Sequence, residues 1–164
     1  MLAIQITSVK SFMNQLLVGE TFDIFLLEEA VISTANTYTI DGHINTDFYP
    51  AEERESITDE FQLWSELKGL CFNLIKGRHT PLYFKFVLHL KPEKADTLLN
   101  KEHSSVDSSQ VRGLILTIKY EGSKVILTTG TSYHTFVMDK EPDKIWDKAI
   151  VKYLSGKGIP FEEL

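Results

Sequence analysis

Two stretches ninety-four residues apart, Val31-Ile32-Ser33-Thr34-Ala35-Asn36-Thr37 and Val125-Ile126-Leu127-Thr128-Thr129-Gly130-Thr131, agree at four of seven positions. Each follows an apolar, strand-like run, Phe22 to Leu27 in the first case and Leu114 to Ile118 in the second. Ahead of each run lies a strand followed by a helical pattern. A β-α-β-β(-β) unit used twice constrains the architecture more than any short motif in the chain, because each copy must bury its apolar face against the other or against added helices.

The pass along the chain supports that alternation. Leu2 to Thr7 reads as a strand, and Ser8 is placed to cap a helix whose Val9, Phe12, Met13, Leu16 and Leu17 fall at helical spacing. Phe22 to Thr34 reads as one long strand or two short ones. Asp41-Gly42 lies between Thr37–Ile40 and His43–Asn45, a pair suited to a type I′ hairpin. Thr46 to Asp59 is polar and acidic and reads as an exposed connection. A helix follows over 60–76, with Leu63, Trp64, Leu67, Leu70, Cys71, Leu74 and Ile75 as its stripe. Leu82 to Leu90 alternates apolar and mixed residues, the clearest strand. Pro92 opens a short helix, and 103–110 is a surface loop. Arg112–Tyr120 and Lys124–Thr129 form a hairpin over Glu121-Gly122-Ser123, with a further strand from Tyr133 to Met138. A closing helix over 142–155 carries Ile145, Trp146, Ala149, Ile150, Tyr153 and Leu154. The expected fold is therefore α+β, a largely antiparallel sheet in one domain spanning 1–164. Its halves are β-α-β-β-β-like, 1–48 and 82–140, joined and closed by the two added helices.

Over most of its length the chain resembles an uncharacterised family of small bacterial proteins, a domain of unknown function. The resemblance rests on Thr37-Tyr38-Thr39-Ile40-Asp41-Gly42, Ile75-Lys76-Gly77-Arg78-His79-Thr80-Pro81 and Thr128-Thr129-Gly130-Thr131-Ser132. It implies no activity. A doubled β-α-β-β-β unit is also similar in topology to one domain of a DNA sliding clamp, although the two added helices depart from that pattern.

Charge and cysteine content narrow the function. Residues 1–80 hold five Lys/Arg against twelve Asp/Glu, whereas 81–164 hold twelve against eleven; the whole is −6. An acidic chain disfavours nonspecific nucleic-acid binding, which depends on neutralising phosphates. The single Cys71 lies on an apolar stripe and is expected to be an inert, buried thiol. No apolar run spans a bilayer and the N-terminus lacks a signal pattern, so no membrane association and a cytoplasmic location are expected.

Motifs for chemistry are sparse. The five histidines show no helical metal-ligand spacing, and neither a cofactor nor a metal site is expected. His89 alternates onto the polar face of its strand and is expected to be exposed. Glu28-Glu29 reads as a solvated pair. The basic segment Lys76, Arg78 and His79, with Lys85 on the next strand, is a candidate contact for phosphate or an acidic partner. So is the i, i+4, i+8 ridge of Lys144, Lys148 and Lys152, its field reduced by Asp143 and Asp147. The favoured reading is a non-enzymatic interaction protein whose partner is another protein or a second copy, or less favourably nucleic acid. The alternative is a small-molecule binder or an enzyme, its pocket between Asp41 and His43 on one side and Thr128, Thr129, Ser132 and His134 on the other. The tail Ile159–Leu164 either packs on the core or docks on a partner.

Overall fold

Most of the apolar alternation becomes strands and most of the apolar stripes become helices in the computed structural model, which covers residues 1–164, although Leu63 falls in a strand and Leu70 is exposed. The order is β1 (Ala3–Ile6), α1 (Val9–Leu17), β2 (Phe25–Ser33), β3 (Thr37–Asp41), α2 (Ala51–Arg54), β4 (Gln62–Leu63), α3 (Trp64–Ile75), β5 (Tyr83–Leu90), α4 (Pro92–Lys101), β6 (Val111–Glu121), β7 (Lys124–Tyr133), α5 (Glu141–Gly156) and β8 (Phe161–Glu163). The class is α+β. All strands join one antiparallel sheet in the order β3-β2-β5-β6-β7-β1-β8, with β4 beside β2 where β3 ends. No helix is long and apolar enough to cross a membrane.

One sheet face carries the core. Phe84, Phe86 and Leu88 of β5 lie beside Ile32, Ala30 and Leu27 of β2 and beside Tyr120, Ile118 and Leu116 of β6, all buried. The two tryptophans of α3 and α5 seal this face. Trp64 packs on Phe86 with ring centroids 5.1 Å apart and donates to the Leu16 carbonyl at 3.0 Å. Trp146 packs on Phe25 and donates to the Ile115 carbonyl at 2.8 Å. Each indole thus buries a large apolar area while its one polar atom finds an acceptor. Cys71 is buried against the same core, and desolvation pushes its thiol up to about 12.

The β-α-β-β order recurs, as β1-α1-β2-β3 and β5-α4-β6-β7, but the neighbours differ. β5 pairs directly with β6, whereas β5, β6 and β7 separate β1 from β2. The matching heptapeptides also diverge: Val31–Thr37 crosses the β2–β3 turn, while Val125–Thr131 runs straight along β7. Tyr133 ends β7, so the strand expected to Met138 does not form, and Phe136 and Met138 are more than four-fifths exposed.

The hairpin expected at Asp41-Gly42 is replaced by a close approach to the edge of β2. Gly42 donates to the Glu28 carbonyl and accepts from Gln62, both at 2.8 Å, and a Cβ there would lie 1.7 Å from the Leu27 oxygen. The chain therefore leaves the edge of β2 after β3 and rejoins that same edge as β4 instead of turning back on itself. A true type I′ turn lies between β6 and β7, where Gly122 and Ser123 adopt φ of 59° and 65°. Ser8 precedes α1 but caps it only through its carbonyl, bonded to the Phe12 amide at 3.0 Å. The tail packs down: Ile159 is buried and β8 pairs with β1.

Candidate functional site

A wide concavity, about 960 Å³, runs between the C-terminal half of α4 and the outer face of α5. Lys144, Lys148 and Lys152 line it because four-residue spacing on a helix stacks side chains on one face, roughly 6 Å apart along the axis. The packing of α4 adds Lys101, and the chain just past α5 adds Lys157. None of these five lysines lies within ion-pair distance of a carboxylate.

Asp143 and Asp147, expected to damp the ridge, are turned toward β7. Asp143 accepts from the Tyr133 hydroxyl at 2.7 Å, and Asp147 from Thr129 Oγ1 at 2.5 Å. Three carboxylates do reach the groove, Glu102, Asp139 and Glu141. Ser105 ties down the last two: its hydroxyl lies within reach of both carboxylates and donates to one at a time, and its backbone amide donates to Glu141 at 3.2 Å. Hydrogen bonds from Ser105 and from the Glu141 amide also hold the Asp139 carboxyl below its ordinary pKa.

The floor is apolar. A connected 530 Å³ hollow shares Leu98, Lys101, Ala149 and Tyr153 with the lysine rim and deepens onto Ile24, Phe25, Leu90, Trp146 and Ile150. Tyr153 is held by a hydrogen bond from its hydroxyl to the Thr21 carbonyl, and burial raises its pKa. Phe136 and Met138 project into solvent just before α5, with Lys140 4.8 Å above the Tyr133 ring. A basic rim over an apolar floor suits a ligand that is both anionic and apolar.

The other basic residues singled out in the sequence lie elsewhere. Lys76, Arg78 and His79 are exposed beyond α3, at the start of β5, whereas the groove meets the end of that strand. The length of β5 separates them by roughly 24 Å. Lys76 sits over the Phe72 ring at 5.6 Å, and Lys85 pairs with Glu29 at 3.4 Å on the sheet face away from the core.

The two parts of the alternative pocket are not adjacent. Asp41 is on β3 and Thr128 on β7, four strand steps apart, roughly 19 Å across the sheet. Thr129 is structural: it is buried and accepts from the Leu2 amide at 2.8 Å while bonding Asp147. Ser132 is a half-buried residue of β7, and exposed His134 lies past the strand's end with its amide on the Gln110 carbonyl.

Asp41 and His43 belong to a different cluster, centred on buried Phe61. The rings of His43 and His89 each lie 4.7 Å from it. Asp41 accepts from the His43 backbone amide at 2.9 Å and from Nδ1 at 2.6 Å, which holds the carboxyl low and raises the imidazole. Glu60 lies 3.5 Å from His43 Nε2 and accepts from Arg112 at 3.0 Å.

His89 corrects the exposure expected for it, being only 6% exposed. Alternation does place it on the face away from the core, but Phe61 and α4 cover that end of the face. Its Nε2 donates to Glu28 at 3.0 Å. Desolvation outweighs the carboxylate's pull and lowers the pKa, so the ring is neutral at neutral pH. Glu28 reaches it because a bulge between Leu27 and Glu29 lets consecutive carboxylates bond separate partners, Glu28 with His89 and Glu29 with Lys85. The adjoining crevice is about 80 Å³, room for a few waters only.

A model of a family of unknown function, DUF5721, matches residues 15–162. The chain belongs to that family. A search of curated proteins finds no match. A search of solved structures likewise finds none. Membership in DUF5721 brings no activity with it, so the geometry alone carries the functional argument. Of the groove residues, Lys144, Lys148 and Lys152 stand out in the sequence by their period, which Lys157 nearly continues. Lys101 and Leu98 join them only through the way α4 packs.

Proposed function

We propose that this protein is a non-enzymatic interaction module that docks an acidic, amphipathic segment of a partner protein in the groove between α4 and α5. The observation that carries this reading is five unpaired lysines around an apolar floor, in a chain whose net charge is −6. Lysines concentrated on one face of an acidic protein are a local feature, and local potential steers encounter more than the total charge does. The apolar floor gives side-chain anchors somewhere to go, which a sugar-phosphate backbone does not require. Nucleic acid is the second reading, and the separation of Lys76 and Arg78 from the α5 lysines weakens it.

Fluorescence anisotropy with a labelled peptide of alternating Glu and Leu, run beside a labelled DNA oligonucleotide, tests the proposal. Peptide binding that weakens about tenfold or more in Lys148→Glu/Lys152→Glu, without comparable DNA binding, is the expected result. DNA binding tighter than peptide binding would replace this reading with the nucleic-acid one. No peptide binding at low salt would remove it.

A further inference from the structure

We infer that one occupant of the α4–α5 groove is a second copy of this chain, docking through its own acidic segment 46–55. The inference rests on the reading of the groove as a site for acidic, apolar protein segments, and it names the partner.

The segment has the complementary chemistry. Asp47, Glu52, Glu53 and Glu55 give it four carboxylates, and all four residues are exposed. Its one cation, Arg54, is exposed and folds back on the loop: Nε donates to the carbonyls of Thr46 and Tyr49, at 3.2 and 3.0 Å. Arg54 forms no ion pair with the four carboxylates, the segment keeps a net charge of −3, and the two hydrogen bonds hold the loop in a formed shape. A preformed loop loses less freedom on docking than a floppy one. Phe48 stands at its tip, 83% exposed and edge-on to Tyr49 with centroids 5.3 Å apart. A large exposed aromatic beside a carboxylate cluster is the counterpart of an apolar hollow beside a lysine cluster.

Within one chain the two surfaces stand apart. The root of the connection, Glu60 and Phe61, packs against the face of α4 that presents Ala95 and Leu99. The groove lies on the other face, lined by Leu98 and Lys101. The segment itself lies farther off, where Phe48 and Tyr49 share a hollow with Asp41 of β3 and Leu67 of α3, and none of its residues lines the groove, so docking occurs between copies. Reciprocal exchange closes a two-fold dimer, whereas one-way docking builds a chain. In either form, self-association competes with an external partner for the same lysines, so copy number tunes access to the groove.

Sedimentation analysis of the full-length protein up to about 1 mM tests this, the weak end of specific affinity. Runs at about 50 and 500 mM salt bracket the range over which screening removes exposed charge contacts. Two variants reverse each side on exposed residues: Glu52→Lys/Glu53→Lys/Glu55→Lys on the segment, and Lys148→Glu/Lys152→Glu on the groove. The expected result is association at low salt that is lost at high salt and lost in each variant alone. Association returns when the two variants are mixed, because basic segment then meets acidic groove. Circular dichroism confirms that each variant is folded. A wild-type monomer throughout overturns the inference, and so does association that survives either reversal or fails to return on mixing. If the wild type stays monomeric yet binds the Glu/Leu peptide, this inference fails and the docking function stands. If it does neither, both fail.

Discussion

Gly113 offers a direct test of how the Phe61 cluster is held. A Cβ at position 113 would lie 2.5 Å from His89 Nδ1 and 3.1 Å from its Cε1. Imidazole rings can often swing away from such a contact, but this one cannot do so freely. Its Nε2 is bonded to Glu28 at 3.0 Å, and Phe61 lies 4.7 Å from the ring. Gly113→Ala must therefore either shift the β6 backbone or push His89 off Glu28. Overpacking of this kind costs about 1–3 kcal/mol, and a lost hydrogen bond to a charged group costs a similar amount. The expected destabilisation is about 2–3 kcal/mol in urea unfolding, or roughly 5–10 °C in Tm for a chain of this size. The decisive measurement is a double-mutant cycle with His89→Ala. Removing the imidazole opens the space the new methyl needs, so Gly113→Ala in that background should cost less than about 0.5 kcal/mol, the scale of non-additivity that separates coupled from independent sites. Equal costs in both backgrounds would refute the reasoning and place the strain in the strand itself.

Three other outcomes follow from the same structure. Burial holds His89 neutral with a folded pKa below its unfolded value near 6.5, so the unfolded chain binds the extra proton as pH falls. That contribution to stability is complete above about pH 6.5 and is lost on acidification toward the folded pKa; His89→Gln should flatten urea midpoints measured between pH 7.5 and pH 5, and an unchanged slope would refute the assignment. Thr129→Val leaves the Leu2 amide and the half-buried Asp147 carboxylate without their shared partner, and a loss of about 1–3 kcal/mol in urea unfolding is expected. Cys71, buried with its thiol pushed to about 12, should react with an aromatic disulfide reagent only as fast as the protein unfolds; reaction at the rate of a free thiol would show that α3 opens locally.

Local pattern read well wherever a feature depends on neighbours in the chain. The stripes of α1 and α5, the alternation of β5 and the Gly122-Ser123 turn all became the elements they suggest. The Asp41-Gly42 turn failed for a reason outside its own residues: Gly42 lies so close to the Leu27 carbonyl, fifteen positions away, that a side chain there would collide with it. His89 shows the same division. Its side of the sheet was legible, but whether that side meets water was decided by Phe61 and α4 arriving over it.

By itself the sequence determined the α+β class, four of the five helices, the six longest strands, the burial of Cys71 and the lysine ridge of α5, since periods of two and near four residues are properties of the backbone. Tertiary structure alone decided the strand order that separates β1 from β2, and with it the failure of the repeated heptapeptides to occupy matching places. It also turned Asp143 and Asp147 toward β7 and brought Lys101 of α4 beside the α5 ridge. Each of these depends on which distant surface covers a residue, and that follows from burying the whole core at once, a quantity no short window of the chain contains.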